Sequence, residues 1–287
     1  MLHKTLARWL LGLVAMLAAV ALAGAAACAE GAAPPAASPA GEKQADPAGE
    51  KKAPVPATPA KRDAGWEKRH AGMVEEAKKG GIDLLFIGDS ITDGWRGAGR
   101  EAWKKNFEPL KAANFGIGGD RTQHVLWRLQ NGELEGLSPK LAVLMIGTNN
   151  GSDKPEDIAA GVAAILETLK AKCPKAKVLL LAIFPRGADA KDPRRVNNDK
   201  VNALIAKLDD GGKAVKYLDI GAKFLQPDGT LTKEIMPDLL HLSPKGYEIE
   251  TEAILPAIRE MMGVKEAAPA EAPKPAKAPE PAPAGAK

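Results

Sequence analysis

The chain has 287 residues, 45% of them hydrophobic and 26% charged, with a formal net charge of +4. Two surplus cations lie in residues 1–28 and one in residues 265–287, which leaves about +1 on the body of the chain with no basic stripe, and so excludes an electrostatic footprint for nucleic acid. Two cysteines, Cys28 and Cys173, exclude a disulfide framework, and four dispersed histidines (His3, His70, His124 and His241) form no metal-binding run, so neither a metal nor any other cofactor is expected.

Met1 to Cys28 reads as a secretory leader. Lys4 and Arg8 precede the apolar stretch WLLGLVAMLAAVALAG, and GAAAC supplies small residues for cleavage. The stretch is shorter than the ~20 apolar residues a spanning helix needs. Export to the periplasm, the cell surface or the medium is therefore expected, with a single uncleaved anchor as the alternative. Cys28 is a candidate lipid-bearing residue and so a route to membrane attachment, although Ala25 stands where the usual lipoprotein signal has a larger aliphatic side chain. Residues 29–63 are mostly Ala, Pro, Gly and charge, too poor in apolar surface to offset chain ordering, and read as a disordered linker. Residues 264–287 are a tail of the same material. Residues 64–263 remain, an ordinary size for one domain with a single core.

Within that domain an entry helix carrying Trp66 and His70 comes first, expected to cover a sheet. The runs IDLLFIG (82–88), AANFGIG (112–118), LAVLMIG (141–147), KVLLLAIF (177–184) and AVKYLDI (214–220) read as strands. The first, third and fourth are almost continuously apolar, as strands covered on both faces are. Helices are expected near 101–106, 121–131, 155–171, 196–209 and 244–262. Pro155 with Glu156 and Asp157 suits a first turn, Cys173-Pro174 suits an end, and Ser243-Pro244 would cap and open the last helix. Alternating strands and helices imply a mostly parallel sheet with helices on both faces.

In such sheets ligands bind beyond the carboxyl ends of the strands. Three expected strands end there in glycine with polar residues close behind: Gly88-Asp89-Ser90, Gly118-Gly119-Asp120 and Gly147-Thr148-Asn149-Asn150. A serine hydroxyl becomes a nucleophile when a histidine, oriented by a carboxylate, takes its proton. PDLLHLSPKGY offers Asp238 and His241 three residues apart before the last helix. The resulting alkoxide-like intermediate needs fixed donors, for which the backbone N–H groups of Ser90 and Gly119 and the Asn149 amide are candidates. Each residue also has a plainer role: Ser90 as a helix cap, Asp238 with His241 as a cap, Asn149 and Asn150 as an Asx turn. Asp89 and Arg186, the latter in FPRG at the fourth strand end, are candidate pocket residues, Arg186 with a solvated or structural role as the alternative. His124 is expected to pack against an adjoining helix.

Together, Gly88-Asp89-Ser90, Gly119 before Asp120, Asn149 in GTNN and Asp238-x-x-His241 resemble the four blocks of the SGNH (GDSL-type) hydrolases. NFGIGGDRTQHVLWRLQNGELEGLSPK, GTNN and IFPRG are similar to the catalytic subunits of intracellular platelet-activating-factor acetylhydrolase, the similarity running from about Trp66 to Met262. The resemblance implies a flavodoxin-like three-layer α/β/α sandwich around a five-stranded parallel sheet, and metal-free hydrolysis of short acyl esters. It implies Ser90 as nucleophile, His241 as base, Asp238 as its orienter, and Ser90, Gly119 and Asn149 as the oxyanion hole. The leader and linker depart from a cytosolic enzyme, so phospholipid substrate and partner subunits do not transfer with the motifs. The Gly-rich ITDGWRGAGREAW after Ser90 also puts pocket specificity in doubt. No Gly-x-Ser-x-Gly elbow of the α/β-hydrolases is present. The expectation is a secreted serine esterase for short O-acyl, chiefly acetyl, esters on a small lipid or carbohydrate, with a homodimer left open. The alternatives are a carbohydrate O-acetyl esterase and, from another class, a tethered non-catalytic binding module.

Overall fold

A computed structural model describes residues 56–264. The expected leader, Cys28, the tail from 265 and the linker up to 55 lie outside the described residues. Five strands, β1 (Leu84–Gly88), β2 (Ala112–Gly116), β3 (Leu141–Met145), β4 (Lys177–Leu181) and β5 (Val215–Leu218), form one parallel sheet in the order β2-β1-β3-β4-β5. Among the described residues the helices are α1 (Ala64–Lys79), α2 (Ser90–Asp93), α3 (Arg100–Asn106), α4 (Thr122–Arg128), α5 (Pro155–Lys172), α6 (Pro193–Ile205) and α7 (Pro244–Met262). None of these is long and apolar enough to cross a membrane.

The continuous apolar runs have a direct structural cause. Side chains alternate between the faces of a strand, and both faces are covered. Leu85, Ile87, Ala142 and Leu144 enter one core with Val125, Ile158, Val162 and Val201 from α4, α5 and α6. Leu84, Phe86, Val143 and Met145 enter the other, with Trp95, Phe107, Tyr247, Ile254 and Ile258. The result is a three-layer α/β/α sandwich. Register matters most for the site: Gly88 on the central β1 lies level with Gly116 of β2 and Met145 of β3. The turns that follow these three strands therefore leave the sheet side by side.

Differences from the expected elements are local. β4 stops at Leu181, before Phe184, because Asn202 of α6 takes over as partner: its side chain accepts from Ile183 N at 2.8 Å and donates to Ile183 O at 2.9 Å. The helix expected to reach 131 stops at Arg128 and gives way to a wider turn through Gly132, whose φ is +109°. α6 begins at Pro193 with Asp192 as cap rather than near 196. Pro155 opens the first turn of α5 as expected, and the expected cap at Ser243 is present, accepting from Gly246 N at 3.2 Å.

The boundary expected at residue 64 moves upstream. Residues 56–63, whose composition reads as linker, run as an arm against α4: Thr122 Oγ1 donates to Pro56 O at 3.0 Å and Ala60 N to Gln123 O at 3.1 Å. Arg62 donates to Gly118 O at 2.8 Å and to Asp120 Oδ1 at 3.1 Å. The arm is held by polar contacts with residues some sixty positions away, which a composition-based reading of apolar content does not register.

Candidate active site

The chain leaves β1 through Gly88 into α2, and Asp89 is the cap of that helix, its Oδ1 accepting from Ile91 N at 3.0 Å. The cap role considered for Ser90 is thus filled by its neighbour. Ser90 is the first residue of α2, where the backbone N–H has no partner within the helix. Tyr247 of α7 holds this turn from below, its hydroxyl donating to Ile91 O at 2.6 Å.

Across the sheet end, His241 Nε2 lies 2.8 Å from Ser90 Oγ. His241 Nδ1 lies 2.6 Å from Asp238 Oδ2. The other carboxylate oxygen, Oδ1, accepts from His241 N at 2.7 Å and Leu240 N at 3.1 Å. Partial burial works to raise the Asp238 carboxyl, but these N–H bonds and the imidazole outweigh it, and the carboxyl lies below its ordinary range. The loop is tight: Leu239 adopts φ +60°, a left-handed conformation uncommon for a branched side chain, and its carbonyl accepts from Gly187 N at 2.9 Å. The strand-end segment PRG therefore buttresses the loop that carries Asp238 and His241.

The second strand end supplies Gly118-Gly119-Asp120. A side chain on Gly118 would stand 3.7 Å from Ser90 Cβ, so this turn borders the serine directly. Gly119 has φ +79° and is solvent-exposed, a conformation that favours glycine. The third strand end supplies Asn149, whose Nδ2 donates to Asp120 O at 2.9 Å. An amide nitrogen carries two hydrogens, so one remains for a ligand. The adjacent Asn150 shapes the turn, accepting from Thr122 N at 3.0 Å and donating to Gln123 Oε1 and Asp153 Oδ2. The two asparagines, alike in sequence, have separate tasks.

Asp89 is buried beside this cluster. Burial, with the nearby Asp120 adding to it, pushes its carboxyl up to about 7 against the pull of Ile91 N–H, His241 and Arg186. Arg186 is only 8% exposed and donates through Nη1 to Thr148 O at 3.1 Å and Thr148 Oγ1 at 3.0 Å. It braces the β3 turn through Thr148, and its charge pulls on the buried Asp89 carboxyl. His124 packs near Trp66 and accepts from Arg121 N at 3.0 Å, and burial lowers its imidazole to about 4.

A buried ionic network beneath the turn was not read from the sequence. Arg128, with no exposed surface, donates to Asp120 Oδ2 at 2.9 Å, to Glu133 Oε2, and to Phe115 O at 3.1 Å. Trp66 Nε1 reaches Asp120 Oδ1 at 2.7 Å and His70 Nδ1 lies 3.0 Å from Glu133 Oε1. The available signal was a pair of opposite charges, Arg128 and Glu133, five residues apart; that Arg128 is shared between Glu133 and Asp120 becomes visible only in three dimensions.

Residues 86–249 match the model of the GDSL-like lipase/acylhydrolase family. The chain belongs to that family. Among curated relatives it is 40% identical over 194 residues to platelet-activating factor acetylhydrolase IB subunit alpha1 of Bos taurus, covering 68% of this chain and 82% of the relative. It is 41% identical over 185 residues to the alpha2 subunit of Rattus norvegicus, covering 64% and 80%. Solved structures share the fold at lower identity. A GDSL-like lipase of Bacteroides thetaiotaomicron is 23% identical with a TM-score of 0.53, covering 67% of this chain and 97% of that one. A variant of an acetyl-xylooligosaccharide esterase of Geobacillus stearothermophilus is 19% identical with a TM-score of 0.51, covering 65% and 96%. This GDSL-family chain is accordingly a carboxylic ester hydrolase with the SGNH three-layer fold.

Proposed function

We propose that this GDSL hydrolase cleaves short O-acyl esters, chiefly acetyl, by covalent catalysis at Ser90. The observation that carries the proposal is the continuous line from Asp238 through His241 to Ser90 Oγ, at 2.6 Å and 2.8 Å. Asp238 fixes the imidazole with its proton on Nδ1, so that Nε2 accepts the Ser90 proton as Oγ attacks the ester carbonyl. Negative charge then grows on the carbonyl oxygen, toward the N–H groups of Ser90 and Gly119 and the second hydrogen of the Asn149 amide. Donors fixed in advance stabilise that charge without reorganisation. Collapse expels the alcohol, protonated by His241, and a water activated by the same imidazole releases the acyl group from Ser90.

The names of the 40% identical relatives support an acetylated lipid carrier, with an acetylated carbohydrate as the second class. The intact proton line argues against a non-catalytic binding module. The composition of residues 1–28 supports export, with membrane attachment through Cys28 or the leader, and fractionation of the expressed chain tests it. A fluorophosphonate probe followed by peptide mass spectrometry tests the chemistry. Modification at Ser90, with turnover of acetyl esters exceeding that of hexanoyl and octanoyl esters, is expected. Modification of another residue, or none in a folded protein, would overturn the assignment.

A further inference from the structure

The arm formed by residues 56–63 ends at the site. Arg62 Nη1 donates to Gly118 O at 2.8 Å, and both guanidinium Nη atoms stand 3.2 Å from the position a Cβ on Gly119 would occupy. Gly118 C=O and Gly119 N–H belong to one peptide unit. That unit is planar and trans, so its carbonyl and its N–H point in opposite directions. Whatever holds the carbonyl of Gly118 also aims the N–H of Gly119.

The need for such a hold follows from the sequence. Both flanking residues are glycines, and a Gly-Gly peptide turns over at little steric cost. Asp120, on the far side of the turn, is anchored independently by Trp66 Nε1 at 2.7 Å and Arg128 Nε at 2.9 Å. Its carbonyl in turn receives the Asn149 amide at 2.9 Å. Those contacts fix the end of the turn and leave the 118–119 peptide to Arg62. The guanidinium is well suited to this, since one nitrogen spans the Gly118 carbonyl and the Asp120 carboxylate together. The arm is seated by more than this residue: Pro56 O bonds Thr122 Oγ1 at 3.0 Å, Ala60 N bonds Gln123 O at 3.1 Å, and Lys61 Nζ lies 4.9 Å from the centre of the Trp127 ring.

We infer that Arg62 is a positioning residue for the oxyanion hole, locking the Gly118–Gly119 peptide so that the Gly119 N–H faces the reacting carbonyl. The inference rests on the proposed role of Ser90 and Gly119. It makes the segment that joins the domain to the preceding chain a working part of the site. Loss of the arm, by truncation or by cleavage between residues 56 and 62, would then lower turnover without removing a reacting group.

The test compares the full chain with Arg62→Ala and Ser90→Ala on neutral and anionic acetyl esters. A positioning role acts in the transition state, so Arg62→Ala should lower kcat about 10- to 100-fold, less than outright loss of a donor, with KM within about twofold for every ester. Methylguanidinium added to Arg62→Ala should recover part of the lost kcat and leave the parent and Ser90→Ala unchanged. A merely structural arm would give a lowered melting temperature, kcat within about twofold of the parent below the melt, and no rescue, which overturns the inference. Loss confined to KM on anionic esters would also overturn it, by making Arg62 a contact for substrate charge. If Ser90→Ala retains turnover, the underlying reading fails and the inference falls with it. If Ser90→Ala is dead while Arg62→Ala keeps parental kcat, the inference alone fails.

Discussion

Replacing Asn149 by alanine separates two roles that the same side chain could fill, and their magnitudes differ enough to be told apart. The observed hydrogen bond from Nδ2 to Asp120 O, 2.9 Å long and half-buried, contributes about 1 kcal/mol to folding. In a domain of this size 1 kcal/mol moves the melting temperature by roughly 2–4 °C. The second hydrogen of that amide has a different value. If it meets the oxygen that becomes charged after Ser90 attacks, its loss costs about 3–4 kcal/mol of transition-state stabilisation, ~10²–10³ in turnover. Because the interaction is made mainly in the transition state, kcat and kcat/KM should fall together with KM little changed. Steady-state kinetics on an acetyl ester at 25 °C and a circular-dichroism melt of the same preparation provide both numbers. A variant melting a few degrees low with kcat within a few-fold of the parent would refute the reasoning and leave Asn149 as a brace for Asp120.

Ser90→Ala should abolish turnover down to a residual ~10³–10⁴ above water, with little change in melting temperature, because a half-buried hydroxyl at a helix start adds little to stability; near-parental turnover in a folded variant would remove Ser90 as nucleophile. Arg128→Met should cost about 3–5 kcal/mol, since it leaves Asp120 and Glu133 buried without their shared cation; a loss under about 1 kcal/mol in urea titrations would show that the network carries little weight. Asp89 gives a pH signature. Its folded carboxyl titrates at about 7 against ~3.9 when unfolded, so between these values the folded state binds the extra proton and stability falls as pH rises, levelling off above about 7. Asp89→Asn retains an acceptor for Ile91 N and lacks that slope, so melts at pH 4.5 and pH 8 should show it gaining on the parent at the higher pH. An equal difference at both values would contradict the raised carboxyl.

Much of this protein follows from short-range pattern. The apolar runs at Leu84–Gly88 and Leu141–Met145 lie in strands covered on both faces, and burial of successive side chains is a property the sequence displays directly. Pro155 and Ser243 mark helix starts because first-turn proline and side-chain capping are both local effects. The three glycine-led strand ends were legible as a convergence because parallel strands place their carboxyl ends on one side. Their close juxtaposition needed the register, in which Gly88, Gly116 and Met145 come level. Asp238 and His241, three residues apart, could be paired from spacing; that His241 also meets Ser90 Oγ, 151 residues away, is a contact only the tertiary structure makes. So is the division of labour between Asn149 and Asn150, which are neighbours of one type facing different loops. The buried Arg128 and the arm ending in Arg62 were the least legible. Their stabilisation comes from hydrogen bonds to carbonyls and carboxylates brought near by the fold, and such partners leave no periodicity in a sequence.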